Sequence, residues 1–186
     1  MNKSKIAAVI GLMVLLVATV TYKFLYKKIE INKVIIVQVK PQKVLGYKKI
    51  GSYNQIGPMT YKLIEYLQNT SGIYFAGAPI YVFHEDFEHC NQISDRGKAQ
   101  LEMCIPIFGN TDVDEPFEIY ELPAAKMAKI VHKGHYFEGK KTYQILFAWI
   151  KENGYTITGP KREAYLNDPR MTKPEDILIE FYAPIG

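Results

Sequence analysis

The chain has 186 residues, 48% of them hydrophobic and 23% charged, with 13 Gly, 10 Pro and 2 Cys; this excludes a disordered polymer, a collagen-like fibre and a disulfide-rich mini-protein. The formal charge of +4 is local, because residues 1–28 hold five lysines and no acid while the other 158 carry 18 basic and 19 acidic side chains. A near-neutral body has no broad footprint for a phosphate backbone, so no nucleic-acid partner is expected.

Ile6 to Thr21 runs sixteen residues without a charge, and Tyr22, Phe24, Leu25 and Tyr26 extend the apolar stretch past Lys23, whose stem can snorkel. A helix needs about 20 apolar residues to cross a bilayer core. Residues 6–26 just suffice, so one transmembrane helix is expected, with 1–5 as a basic tail and 27–33 as a charged tether. The alternative is a cleaved signal peptide; Ala18 and Val20 are the nearest pair for the cleavage motif, and valine fits it poorly. Lysines after the span outnumber those before it, but the short basic tail favours a body on the outer face. Cys90 and Cys104 either pair, if their Cβ atoms approach within about 4.5 Å, or stand as buried thiols.

Beyond the tether the chain repeats itself. The stretch from Val39 (VKPQKVLGYKKIGSY) aligns with that from Leu122 (LPAAKMAKIVHKGHY), matching Pro41 with Pro123, Gly51 with Gly134 and Tyr53 with Tyr136. A helical pattern follows in each: Leu63, Ile64 and Leu67 with Tyr66 beside them, then Tyr143, Leu146, Phe147 and Ile150. Asn69 and Gly72 stop the first helix, Asn153 and Gly154 the second. Gly77-Ala78-Pro79 and Gly159-Pro160 each open an extended segment, and the closing strands are 101–107 and 179–185. The expected fold is α+β: a tandem β-α-β-β repeat with antiparallel sheets and a cleft between the copies. Repeat one spans 34–109 and repeat two 117–186, joined through Asn110–Glu118.

The second copy carries a resemblance. EIYELPAAKMAKIVHKGHYFEG, an aromatic helix, and GPKREAYLNDPRMTKPEDILIEFYAPI resemble the GyrI-like small-molecule-binding domain, the effector-binding domain of AraC- and MerR-type transcription activators. The resemblance covers about residues 34–186 and implies a small-molecule ligand in the cleft. Members of that family sense lipophilic and often cationic compounds, inhibit gyrase, or hydrolyse reactive cyclopropane-bearing molecules. The regulators place a DNA-reading domain ahead of this one. Only about 33 residues stand ahead of it here, so an anchored ligand domain is expected.

Glu163 is the leading site residue. Strand alternation puts Lys161, Glu163 and Tyr165 on one face and Arg162, Ala164 and Leu166 on the other, and in the resembling family the glutamate of this motif faces the pocket. A carboxylate among ring faces selects a lipophilic cation; the same group could serve as general base in a hydrolase. Tyr136, Tyr143, Trp149 and Tyr165 from the second copy, and Tyr53, Tyr61 and Tyr81 from the first, are candidate walls. Tyr143 and Trp149 lie six positions apart, about 120° out of phase on a helix, so at most one of them faces the cleft squarely. Glu102 and Glu180 alternate with apolar neighbours and read as solvent-facing, with Glu180 kept as the second carboxylate candidate. His84 and His89 are five apart, and a zinc-binding helix needs four, so no metal site is expected. His132 and His135 have no acid at triad spacing. No phosphate-binding glycine loop is present, and no cofactor is expected.

Overall fold

The computed structural model describes residues 30–84, 99–135 and 138–186. The expected span at 6–26, Cys90, Tyr136 and most of the His84–Cys90 segment lie outside the described residues. Ile31–Gly186 forms one compact unit. Its strands are β1 (Ile35–Val39), β2 (Gln42–Gly51), β3 (Ile73–Phe75), β4 (Ile80–Phe83), β5 (Ala99–Gly109), β6 (Phe117–Leu122), β7 (Ala125–Lys133), β8 (Lys161–Tyr165) and β9 (Leu178–Pro184); the helices are α1 (Ile56–Asn69) and α2 (Gly139–Glu152). All strand pairs are antiparallel. Strand, helix, strand, strand occurs twice, as β2-α1-β4-β5, with the short β3 inserted after α1, and as β7-α2-β8-β9. Ile31 and Asn32, read as tether, already pair with Val131.

The two helices form for the same reason. In α1, Met59, Leu63 and Leu67 recur on one buried stripe, and Pro58 sits in the first turn, where a missing N–H costs nothing. In α2, Tyr143, Leu146 and Ile150 do the same. The helix ends at Asn153, whose side-chain amide donates to the Trp149 carbonyl at 2.8 Å. The α1 stripe packs on Leu45, Leu101, Met103 and Ile105. The α2 stripe packs on Ala128, Ile130, Ile179 and Phe181.

The strand order is β1-β7-β9-β8-β4-β5-β2-β6, so the copies meet at β8 and β4. The outer ends meet as well. Ile35 lies opposite Lys129 and Val39 opposite Ala125, while Gln42 lies opposite Leu122 and Tyr47 opposite Phe117. Both ladders share one register. They are one antiparallel ribbon, interrupted where Lys40-Pro41 meets Pro123-Ala124, because proline cannot donate to a ladder. The ribbon closes the sheet on itself and gives it a helix-free interior, where Val44, Ile80, Val82, Cys104, Leu122 and Ala164 form a third buried cluster.

That interior corrects the reading of the strand glutamates. Glu102 is 5% exposed and accepts from the Tyr120 hydroxyl at 2.5 Å, with His84 Nε2 2.6 Å from its other oxygen. Glu180 is half-buried, 2.7 Å from Lys129 Nζ and accepting from the Tyr182 hydroxyl at 2.5 Å. In a closed sheet both faces are covered, so a polar residue alternating with apolar ones need not point outward. Cys104 is a free thiol; burial first, then the Glu102 charge, pushes it up to about 12, which keeps it protonated at neutral pH.

Gly46 is required by the same packing. A Cβ built there would overlap the Tyr120 ring, which also sits under Lys48 Nζ at 3.9 Å. Gly46→Ala therefore displaces the ring from Glu102. A loss of about 2 kcal/mol is expected, within the range for overpacking a full core. Thermal unfolding checks this, and an unchanged melting temperature would show that Tyr120 moves without cost.

Candidate functional site

β8 alternates as the sequence predicts, with Glu163 on the helix-covered face at the seam of the two copies. Its register partners are Tyr81 on β4 and Phe181 on β9, and directly opposed side chains stand about 5 Å apart at Cβ. Two phenols grip the carboxylate. Tyr143, reaching down from α2, donates to Oε1 at 2.7 Å, and Tyr165, two residues along β8, donates to Oε2 at 3.0 Å. Tyr165 packs against both helix-covered clusters, so it bridges the halves.

Aromatic rings continue outward on both sides. Tyr143 stacks on Phe181 with ring centroids 4.3 Å apart and meets Phe147 at 5.4 Å. From the first copy, Tyr81 is fully buried and meets Phe83 edge-on at 4.8 Å. Tyr53, in the turn before α1, stacks on Phe83 at 5.3 Å and meets Tyr81 edge-on at 6.3 Å. Burial drives the Glu163 carboxyl above the usual glutamate range, and the two phenol hydrogen bonds, which favour the anion, offset only part of that rise. The carboxyl is thus costly to ionise when alone and well placed to neutralise a cation among rings.

Other candidates go elsewhere. Trp149 stacks on Tyr155, a consequence of its phase on α2. Tyr61 lies under the Arg170 guanidinium at 3.9 Å, and Arg170 also holds Asp168 at 2.7 Å, so this contact ties the loop after β8 to α1. Glu180 lies on the interior side of β9, opposite in alternation to Phe181, and does not join Glu163. His132 is buried, with Nδ1 2.8 Å from the Thr142 hydroxyl and Nε2 3.1 Å from the His135 carbonyl, a structural role. Among the described residues no cluster of His, Cys, Asp or Glu suits a metal ion.

Sequence reasoning passed over Phe181, Phe83 and Phe147. Phe181 carried a usable signal, since it alternates with Glu180 on the closing strand. Phe83 had one too, two residues beyond Tyr81 on the same strand face.

The model of the GyrI-like small-molecule-binding domain matches residues 32–185. The chain belongs to the GyrI-like family. Among solved structures, the EcmrR C-terminal domain is similar with a TM-score of 0.69 and 17% identity, over 83% of this chain and 97% of that one. A hydrolase from Listeria innocua is similar with a TM-score of 0.62 and 15% identity, over 89% and 98%. SAV2435, solved bound to tetraphenylphosphonium, gives 0.54 and 15%, over 83% and 94%. At such identities these structures share the fold. No curated protein sequence matches the chain. Membership makes the chain a small-molecule-binding domain, and its described residues form an antiparallel sheet and two helices.

Proposed function

We propose that this GyrI-like domain captures a lipophilic cation at Glu163, and that residues 6–26 anchor it to a membrane with the body on the outer face. The observation that carries the ligand reading is one carboxylate, desolvated at the seam, held by two phenols and flanked by the rings of Tyr81 and Phe181. A hydrophobic cation brings the missing charge and offers flat surfaces to the rings, each ring face being worth roughly 0.5–2 kcal/mol. A neutral guest of the same shape leaves the carboxylate uncompensated. SAV2435, a fold neighbour, binds a guest of this class. The anchor rests on the sequence; among the described residues no helix is long and apolar enough to cross a membrane.

Titration of the full chain with tetraphenylphosphonium and with neutral triphenylphosphine oxide tests the ligand reading. The cation is expected to bind at least tenfold more tightly, about 1.4 kcal/mol. Equal affinities would remove the role assigned to Glu163.

A second reading is favoured by the raised Glu163 carboxyl, whose anion is a stronger base than an ordinary glutamate. In it Glu163 takes a proton from water as the water oxygen bonds to a ring carbon. The strained C–C bond breaks, its electron pair passes to an electron-withdrawing group on the other carbon, and the Glu163 proton is then delivered to that carbon. The Listeria innocua neighbour is described as a hydrolase. Turnover of a cyclopropane-bearing electrophile that Glu163→Gln abolishes, with substrate binding intact, selects this reading over simple capture.

A further inference from the structure

We propose that the helix-free interior of the closed sheet holds a second ligand site, built on Arg162, for a small apolar monocarboxylate. It lies on the opposite face of β8 from Glu163 and stands whether or not the cation reading holds.

Arg162 is only 6% exposed. Its Nη2 donates to the Pro123 carbonyl at 3.0 Å, beside the break in the closing ribbon. Its Nη1 is buried with no acceptor among the described residues. Among the described residues no carboxylate lies within ion-pair distance of this guanidinium. Burial works against its charge, and Glu102 and its neighbours restore only part of what is lost. A guanidinium does not deprotonate in a protein, so the structure holds a desolvated cation with an unmatched donor. Such a group is costly unless something accepts from it.

Beside it lies a cavity of about 220 Å3, walled by Arg162, Ile80, Met127, Leu166, Tyr182 and Glu180 among others. An engineered apolar cavity of roughly 150 Å3 takes up benzene, so a ring bearing one small polar group fits here. The polar balance selects the sign of that group. Glu180 is already supplied by Lys129 Nζ and the Tyr182 hydroxyl. Glu102, the other interior carboxylate, is supplied by the Tyr120 hydroxyl and faces His84. Among the described residues both interior carboxylates have their donors, while Arg162 has a donor to spare. The incoming group must therefore accept, and beside a buried cation a carboxylate accepts best. A dianion is disfavoured, because its second charge would face Glu180 and apolar walls. The remaining walls call for an apolar body.

Benzoate, with neutral benzamide as its isostere, probes the site in the full chain by calorimetry and thermal shift. Benzoate is expected to bind at least tenfold more tightly than benzamide and to raise the melting temperature. Arg162→Met keeps the aliphatic stem and removes the charge; it should weaken benzoate at least tenfold and leave tetraphenylphosphonium binding unchanged. Should that variant fail to fold, Leu166→Trp at the 38% exposed rim fills the mouth without touching the guanidinium, and the same loss of benzoate binding is expected. The proposal is overturned if neither probe binds at millimolar concentration, which would leave the cavity to water. It also falls if benzamide matches benzoate, or if Glu163→Gln removes benzoate binding while Arg162→Met does not.

Discussion

Glu163→Gln is expected to melt at a higher temperature than the parent chain at neutral pH, while its affinity for tetraphenylphosphonium falls at least tenfold. The stability gain follows from linkage. The folded-state carboxyl sits above the ordinary glutamate range because burial outweighs the Tyr143 and Tyr165 hydrogen bonds. Between the ordinary value, about 4.3, and the raised one, the folded protein keeps a proton that the unfolded chain has released. Stability therefore falls as pH rises through that window, and the cost persists above it. Glutamine carries no such cost. The variant should melt above the parent near pH 7, and the gap should close as pH falls toward 4. Thermal melts across that range read it directly. A parent chain that is the more stable at pH 7 would mean that the phenol hydrogen bonds outweigh burial. The same linkage predicts that the cation binds with release of a proton at pH values below the folded-state value, measurable as a buffer-dependent enthalpy. Such a residue loses stability in the free protein and regains it on binding, the usual compromise at a ligand site.

How much of this was legible depends on the range of the interaction. Tyr143 and Trp149 were separable from sequence because helical phase is local: six positions turn one ring to Glu163 and the other to Tyr155. The faces of β8 were legible for the same reason, since side chains alternate whatever the strand pairs with. Pro41 and Pro123 were matched as equivalent points of two copies. That they meet at the break in one ribbon depends on register, which no local pattern encodes. Missing the ribbon is what misplaced Glu102 and Glu180. An open sheet with helices on one side leaves its other face to water, and only closure turns that face into an interior. Arg162 escaped notice on the same ground, having been assigned a face but given no environment. Its burial and that of Glu163 have one origin: β8 runs through the middle of the sheet, covered by helix-borne rings on one side and by the closed interior on the other.

Phe181→Ala is expected to be the most damaging single change near the site. The ring is 2% exposed and lies between two others, with Tyr143 stacked at 4.3 Å and His132 at 5.6 Å. Helix α2 begins directly on it, for a Cβ added to Gly139 would come within 2.9 Å of the ring edge. Glycine at that position is what lets the helix approach closely enough for Tyr143 to reach Glu163. Deleting a buried phenyl costs about 3–5 kcal/mol, which lowers the melting temperature on the order of 10 °C. Loss of the ring also removes the platform that fixes the Tyr143 hydroxyl over Oε1, so cation affinity should fall even well below the melting transition. Phe181→Leu keeps most of the volume and should restore most of the stability, but with less of the affinity, because a branched aliphatic offers no stacking plane to Tyr143. Equal recovery of both would mean that the ring acts by volume alone. Benzene added to Phe181→Ala should raise its melting temperature selectively if the space left behind stays open and dry. Its failure to do so, with the stability loss still present, would show that α2 settles into the gap and takes Tyr143 with it.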